Sequence, residues 1–173
     1  KTITASVECG GEIQEIGRQM SARKGPAVLF TNIRGYEKGW CTKLFVGSLN
    51  TFSKVALSLG LPKTAPLPDI VKKLRQTLRN PVPPVHVDAK TAPVKQHIIK
   101  TGIDINQIPV PQWHPKDGLR YINTWQGVVT KDPDTGEYNL GCYRGGIVDK
   151  NTIVSLLVKS QHWGQHYTKW CER

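Results

Sequence analysis

Apolar residues recur along this chain first at helical spacing and later at strand spacing. Over Glu12–Ser21 (EIQEIGRQMS), Ile13, Ile16 and Met20 fall three and four apart, which predicts a short amphipathic helix. Gly25-Pro26 ends it and launches Ala27-Val28-Leu29-Phe30, a compact apolar run of buried-strand type. A polar, glycine-bearing stretch over Arg34–Trp40 leads to a second predicted strand through Leu44, Phe45 and Val46. Asn50 is a candidate N-cap for a helix over Thr51–Leu59, which Gly60 stops. Another helix is predicted over Pro68–Arg79, with Ile70, Leu74 and Leu78 on one face.

The pattern then changes. Prolines at 81, 83, 84, 93, 109, 111 and 115 remove backbone donors and fix φ, so no long regular element is expected there. The domain boundary is placed inside this stretch, giving residues 1–108 and 109–173. From Leu119 the residues turn β-branched and aromatic. Tyr121–Thr130 and Tyr138–Asp149 are expected to pair as one hairpin about Asp132-Pro133-Asp134-Thr135-Gly136, where Pro presets φ, Asp bonds its own backbone and Gly accepts positive φ. A third strand, Thr152–Val158, precedes Ser160, a candidate N-cap for a helix over Gln161–Cys171. The fold class is therefore α+β, a small amino-terminal α/β unit followed by a β-rich unit.

Composition narrows the function. The chain has 173 residues, 38% hydrophobic and 21% charged, with no apolar run long enough for a bilayer helix. A soluble cytoplasmic protein with no membrane partner is expected. Cysteines 9, 41, 142 and 171 form no CxxC pair, so free thiols are expected rather than a zinc knuckle or a redox dithiol. The formal charge of +11 points to an anionic partner. The densest basic cluster (Lys72, Lys73, Arg75, Arg79) lies on a predicted helix and reads as a solvated face. A nucleic-acid partner is not expected, because RGG runs and RNP-type aromatic motifs are missing.

No nucleophile elbow, Walker loop, HExxH or GxGxxG stands in the sequence. His162 and His166 are four apart on the last predicted helix, a spacing that suits either a metal or a solvated surface. Asn139 and Arg144 are five apart and point to opposite faces of a regular strand, although Gly141 and Gly145-Gly146 permit a bulge that reunites them. His162 stands in a first helical turn, where free N–H groups favour an anion. An amide oxygen and an imidazole suit a divalent cation bridging to phosphate. The same three residues equally describe a turn-flanking Asn, a surface Arg and a satisfied helix-start His.

The segment RYINTWQGVVTKDPDTGEYNLGCYRGGIVDKNTIVSLLVKSQHWGQ (Arg120–Gln165) resembles the cofactor-binding region of the UbiD family of reversible, non-oxidative decarboxylases. The resemblance rests on RYI before a DP-type turn, then N-x4-R, then D-K, then Q-H opening a helix, in order. Upstream, GEIQEIGRQM, KGPAVLFTNIRGYEKGW and SLNTFSKVALSLGL resemble that family's amino-terminal domain. The resemblance implies that residues 109–173 begin a flavin-reductase-like split β-barrel holding prenylated FMN. It implies that Asn139 and His162 ligate a divalent metal, Mn2+ or Mg2+, on the cofactor phosphate, and that Leu140 offers a backbone carbonyl to K+. Thr124, Gly141, Cys142, Tyr143 and Gln161 would contact the flavin. Arg144 would be the active-site arginine that pairs with two glutamates, one of them the proton donor.

The family's two glutamates, its third metal ligand and its oligomerising domain would fall after Arg173. The missing initiator Met and an end inside a predicted helix point to a piece of a longer enzyme, inactive by itself. Its substrates would be aromatic, heteroaromatic or α,β-unsaturated acids, with CO2 as co-product. A flavin prenyltransferase would supply the cofactor, and the full-length enzyme would be a dimer or hexamer. A split-barrel protein that binds ordinary FMN without decarboxylase chemistry is the alternative, and a basic nucleic-acid module is a third reading.

Overall fold

The computed structural model describes residues 1–173, and they form an α+β protein. The chain divides into two compact units that interleave in sequence. One comprises Lys1–Thr4, Ile16–Thr31 and Leu44–Ile103; the other comprises Ala5–Glu15, Asn32–Lys43 and Asp104–Arg173.

The first unit carries a three-stranded sheet in the order β1 (Thr2–Ile3), β2 (Val28–Phe30), β3 (Leu44–Val46), with β1 parallel and β3 antiparallel to β2. Val28 pairs with Val46 and Phe30 with Leu44. These side chains share one face by the two-residue period, and Val28 and Phe30 are buried there. Leu29 and Phe45 pair on the other face, where Phe45 is exposed. Helix α1 (Glu12–Ala22), whose first residues belong to the second unit, runs close to its predicted bounds.

Helix α2 (Phe52–Ser58) ends as the sequence predicts. Gly60 takes φ +72°, its N–H reaches the Leu57 carbonyl at 3.0 Å, and the Leu61 N–H reaches the Ala56 carbonyl at 2.9 Å. That paired closure satisfies two orphan carbonyls of the last turn. Its start differs from expectation. Thr51 is the N-cap, and Asn50 instead accepts a bond from Lys54 Nζ at 2.6 Å, because a charged donor one turn on outcompetes a backbone N–H for its oxygen. Helix α3 (Leu67–Arg79) has Pro in its first turn, where the missing N–H costs nothing. Ile70 is buried, while Leu74 and Leu78 stay exposed and the basic cluster is a solvated face. Between Pro81 and Ile99 the only regular element is a 3-10 turn over Pro93–Lys95, as the prolines dictate.

The second unit holds two small sheets. Strands β4 (Arg120–Asn123), β7 (Gly145–Ile147) and β8 (Ile153–Ser155) form one, in the order β4-β7-β8, and β5 (Val128–Lys131) with β6 (Tyr138–Gly141) form the other. The DPDTG turn forms as predicted. Asp132 Oδ1 accepts the Asp134 N–H at 2.8 Å and the Thr135 N–H at 3.3 Å, and Gly136 adopts φ +76°.

The single long hairpin does not form. Both predicted strands break, and their outer halves pair in a different sheet from their inner halves. Thr124 Oγ1 donates to the Tyr121 carbonyl at 2.7 Å, turning the first strand out of its ladder. On the second strand, Cys142-Tyr143-Arg144 leaves the ladder, and the Tyr143 carbonyl takes a hydrogen bond from Gln126 Nε2. The pairs Arg120↔Ile147 and Asn123↔Gly145 enclose an extra residue on β4, a bulge. Asn139 and Arg144 therefore never share one strand, and the argument from strand parity does not apply to them.

The last strand is shorter than predicted, and helix α4 (His162–Cys171) takes Gln161, not Ser160, as N-cap. All four cysteines are free, as expected. Buried residues of this unit include Val7, Cys9, Ile13, Ile33, Val110 and Ile147. Burial pushes the Cys9 thiol up to about 11, with Arg120 partly offsetting it, so this cysteine is an inert packing residue. No helix is long and apolar enough to cross a membrane.

Candidate functional site

Helix α4 is fastened along the β5–β6 hairpin, and that attachment builds the site. Thr130 on β5 is directly opposite Asn139 on β6. Thr130 Oγ1 lies 2.9 Å from Nδ1 of His166, which is buried. Further along the helix, Lys169 Nζ reaches Asp132 at 2.6 Å and Asp134 at 3.1 Å, and Arg173, just past the helix end, reaches Asp134 at 2.7 Å. Trp170 Nε1 donates to the Lys131 carbonyl at 3.2 Å. The helix thus grips the hairpin turn with residues three to four apart, the spacing of one helical face.

One turn before His166, His162 stands at the open end of α4, their ring centroids 6.5 Å apart. His162 is exposed, whereas His166 has its Nδ1 engaged by Thr130 and its Nε2 3.8 Å from Asp132. The His162/His166 pair is therefore divided between two tasks, and the second imidazole belongs to the helix attachment.

Tyr143 brings the strand and the helix start together. Its hydroxyl accepts from Asn139 Nδ2 at 3.2 Å and from the Trp163 backbone N–H at 3.4 Å, and its ring meets the Trp163 ring at 4.9 Å between centroids. Gly141 makes this fold-back possible. A Cβ there would fall 2.7 Å from Tyr143 Cζ and 2.8 Å from its hydroxyl oxygen, so any larger residue evicts the ring. Around this junction lies an open depression of about 400 Å3, lined by Gly141, Cys142, Tyr143, Ser160, Gln161 and His162. Gln161 caps α4 without a side-chain bond, and the first-turn Trp163 N–H goes to the Tyr143 hydroxyl instead.

Of the residues singled out from sequence, Gly141, Cys142, Tyr143, Gln161 and His162 line this depression, and Asn139 reaches it through Tyr143. Thr124 and Arg144 gather elsewhere, around Tyr121. Thr124 bonds the Tyr121 carbonyl and accepts from Trp113 Nε1 at 3.2 Å, while the exposed Arg144 guanidinium lies 5.4 Å from the Tyr121 ring centroid. The Leu140 side chain points away from Asn139 by strand alternation and is exposed. Sequence reasoning missed Thr130, Asp132, His166 and Lys169 as the group that fixes α4. A signal was present in the three-residue step from His166 to Lys169 and the acidic hairpin turn.

The donor set suits a divalent cation. Nδ2 of Asn139 is engaged by Tyr143, no protein group bonds its Oδ1, and an exposed imidazole stands at the adjacent helix start. No group of three or more His, Cys, Asp or Glu is close enough to hold a metal. Gln126 Oε1, on the residue that bonds the Tyr143 carbonyl, is buried with no hydrogen-bond partner.

Two family models match the chain. The 3-octaprenyl-4-hydroxybenzoate carboxy-lyase N-terminal domain covers residues 1–74, and the Rift-related domain of the same carboxy-lyase covers residues 85–173. Among curated proteins, ferulic acid decarboxylase 1 of Saccharomyces cerevisiae is 29% identical over 97% of this chain and 35% of its own length. Pyrrole-2-carboxylic acid decarboxylase of Pseudomonas aeruginosa is 30% identical over 97% of this chain and 35% of its own length. The chain thus spans about a third of these relatives. Among solved structures, the UbiD-class enzyme HmfF of Pelotomaculum thermopropionicum in complex with FMN superposes with a TM-score of 0.83 at 25% identity, covering 98% of this chain and 36% of that one. An evolved dimeric form of it carries prFMN.

Proposed function

Because this chain belongs to the UbiD family, we propose that it is the amino-terminal part of a reversible, prenylated-FMN-dependent carboxy-lyase acting on aromatic, heteroaromatic or α,β-unsaturated acids. The observation that carries this reading is the meeting of Asn139 and the start of α4 at the Tyr143 hydroxyl, beside the depression that His162 lines. Residues 109–173 begin the cofactor-binding barrel and residues 1–108 form the domain before it.

In this reading Asn139 Oδ1 and the His162 imidazole would hold Mn2+ or Mg2+, and the dipole at the start of α4 would favour the cofactor's phosphate. The Leu140 carbonyl serves K+. Gly141, Cys142, Tyr143, Gln161 and Thr124 border the flavin. When bound, prenylated FMN supplies the electron sink for loss of CO2. Arg144 would hold carboxylates in place, since a guanidinium is a fixed cation with a planar fork of donors. The glutamates it would hold and the third metal ligand would lie outside the third of its relatives' length that this chain spans. The full-length enzyme is proposed to be a cytoplasmic homo-oligomer supplied with cofactor by a flavin prenyltransferase.

The test is CO2 release from a panel of aryl and acrylic acids by the full-length chain loaded with prenylated FMN, beside Asn139→Ala and His162→Ala. The expected result is turnover by the parent and loss in both variants. The 173-residue chain alone is expected to show none. Equal FMN binding by the parent and Asn139→Ala, with no turnover by either, would instead favour a split-barrel FMN binder without decarboxylase chemistry.

A further inference from the structure

We infer that Tyr143 is the positioning residue that decides which atom of Asn139 faces the cation. The inference deepens the reading above and rests on it. A side-chain amide offers two ends of nearly equal shape, and only the oxygen can ligate a metal ion. Left alone on a half-buried strand, the amide would populate both orientations. Here the Tyr143 oxygen lies 3.2 Å from Asn139 Nδ2 and accepts its N–H, so Oδ1 is the end left for a cation.

The phenol is itself held on three sides. The Trp163 N–H donates to the same oxygen at 3.4 Å, the Trp163 ring packs against its ring at 4.9 Å, and the bare Gly141 backbone lies under it. The Trp163 N–H is one of the first-turn donors that the helix cannot satisfy internally. Tyr143 therefore measures the gap between β6 and α4 and sets the amide from the helix start, whose residue His162 is the other proposed ligand. Partners of this kind, one step removed from the ion, tune metal affinity by about 10- to 100-fold.

Tyr143→Phe keeps the ring and removes the acceptor. In the full-length chain with FMN, Mn2+ affinity read by electron paramagnetic resonance is expected to fall by about 10- to 100-fold. A structural role for the ring alone would leave it unmoved. The decisive arm repeats Tyr143→Phe in an Asn139→Asp background. A carboxylate has two equivalent oxygens and needs no neighbour to choose between them, so the loss there is expected to shrink to about threefold or less, an interaction read from the cycle. Equal losses in both backgrounds, or Mn2+ binding by Tyr143→Phe within twofold of the parent, would overturn the role given to Tyr143. Absence of Mn2+ binding by the parent, or full binding by Asn139→Ala, would remove the metal site itself and with it the reading beneath this inference.

Discussion

Lys169 Nζ sits 2.6 Å from Asp132 Oδ2, and this ion pair fastens the last helix to the turn of the β5–β6 hairpin. Asp132 serves both sides of the joint, because its other oxygen caps the turn through the Asp134 and Thr135 N–H groups. The side chain is 13% exposed, so solvent screens the pair less than a surface bridge.

This joint makes stability depend on pH in a stated direction. The Lys169 bond, aided by the Asp134 and Thr135 N–H groups, lowers the Asp132 carboxyl from an ordinary 3.8 to about 2. A depressed carboxyl contributes fully above its unfolded pKa and loses that contribution as pH falls through the folded value, here between about 4 and 2. Asp134 is lowered too, by Arg173 first and then Lys169. Lys169 is raised by Asp132 and then Asp134, so its share persists through neutral pH and fades only above the ordinary lysine range. Asp132→Asn keeps an oxygen for the turn N–H groups and removes the titration. Its melting temperature is expected to lie below the parent's at pH 7 and to vary less between pH 5 and 2. Parallel curves for the two proteins would contradict the assignment.

The neighbouring contact, between Thr130 and His166, is more deeply buried. Thr130→Val preserves shape and β-branching but leaves Nδ1 of His166, only 7% exposed, without its partner. An unsatisfied buried polar atom costs about 1–3 kcal/mol, more than the methyl gains by burial of so little added area. Urea unfolding is expected to show that loss for Thr130→Val and most of it restored in Thr130→Ser. Parent-like stability of Thr130→Val would mean that His166 finds another partner.

The elements read correctly from sequence are those whose signals are local. The Schellman closure at Gly60, the DPDTG turn and the proline-bound stretch each follow from residues within a few positions of one another. What failed depended on distant partners. Nothing within Tyr138–Asp149 announces that its halves will pair with different strands. The break is set by Gln126 bonding the Tyr143 carbonyl and by the phenol folding back over Gly141 toward α4, across gaps of 17 and 20 residues. The candidate site was legible as residue types in a familiar order, with Asn139 and His162 named. Tyr143 as their link was not, since a tyrosine two residues from a glycine on a strand looks like ordinary sheet.

Gly164 sets local helix propensity against packing, and the structure decides between them. Gly in a helix interior costs about 0.8–1 kcal/mol relative to Ala, so propensity alone predicts that Gly164→Ala stabilises α4. A Cβ at that position would fall 2.7 Å from Lys159 Cα and 2.7 Å from the Val158 carbonyl carbon. Both are backbone atoms of the connection that crosses the helix's first turn, and neither can swing aside as a side-chain tip does. Overpacking of this kind costs about 1–3 kcal/mol, which outweighs the propensity gain. Gly164→Ala is therefore expected to lower the urea midpoint and, under the proposed function, to weaken FMN binding by moving Ser160 and Gln161. Gly118→Ala is the control, because a Cβ there meets nothing within 4 Å; it is expected to leave stability unchanged or raise it by up to about 1 kcal/mol. A higher midpoint for Gly164→Ala would show that the Val158–Lys159 backbone yields, and that the loop bordering the depression is set by something other than this close approach.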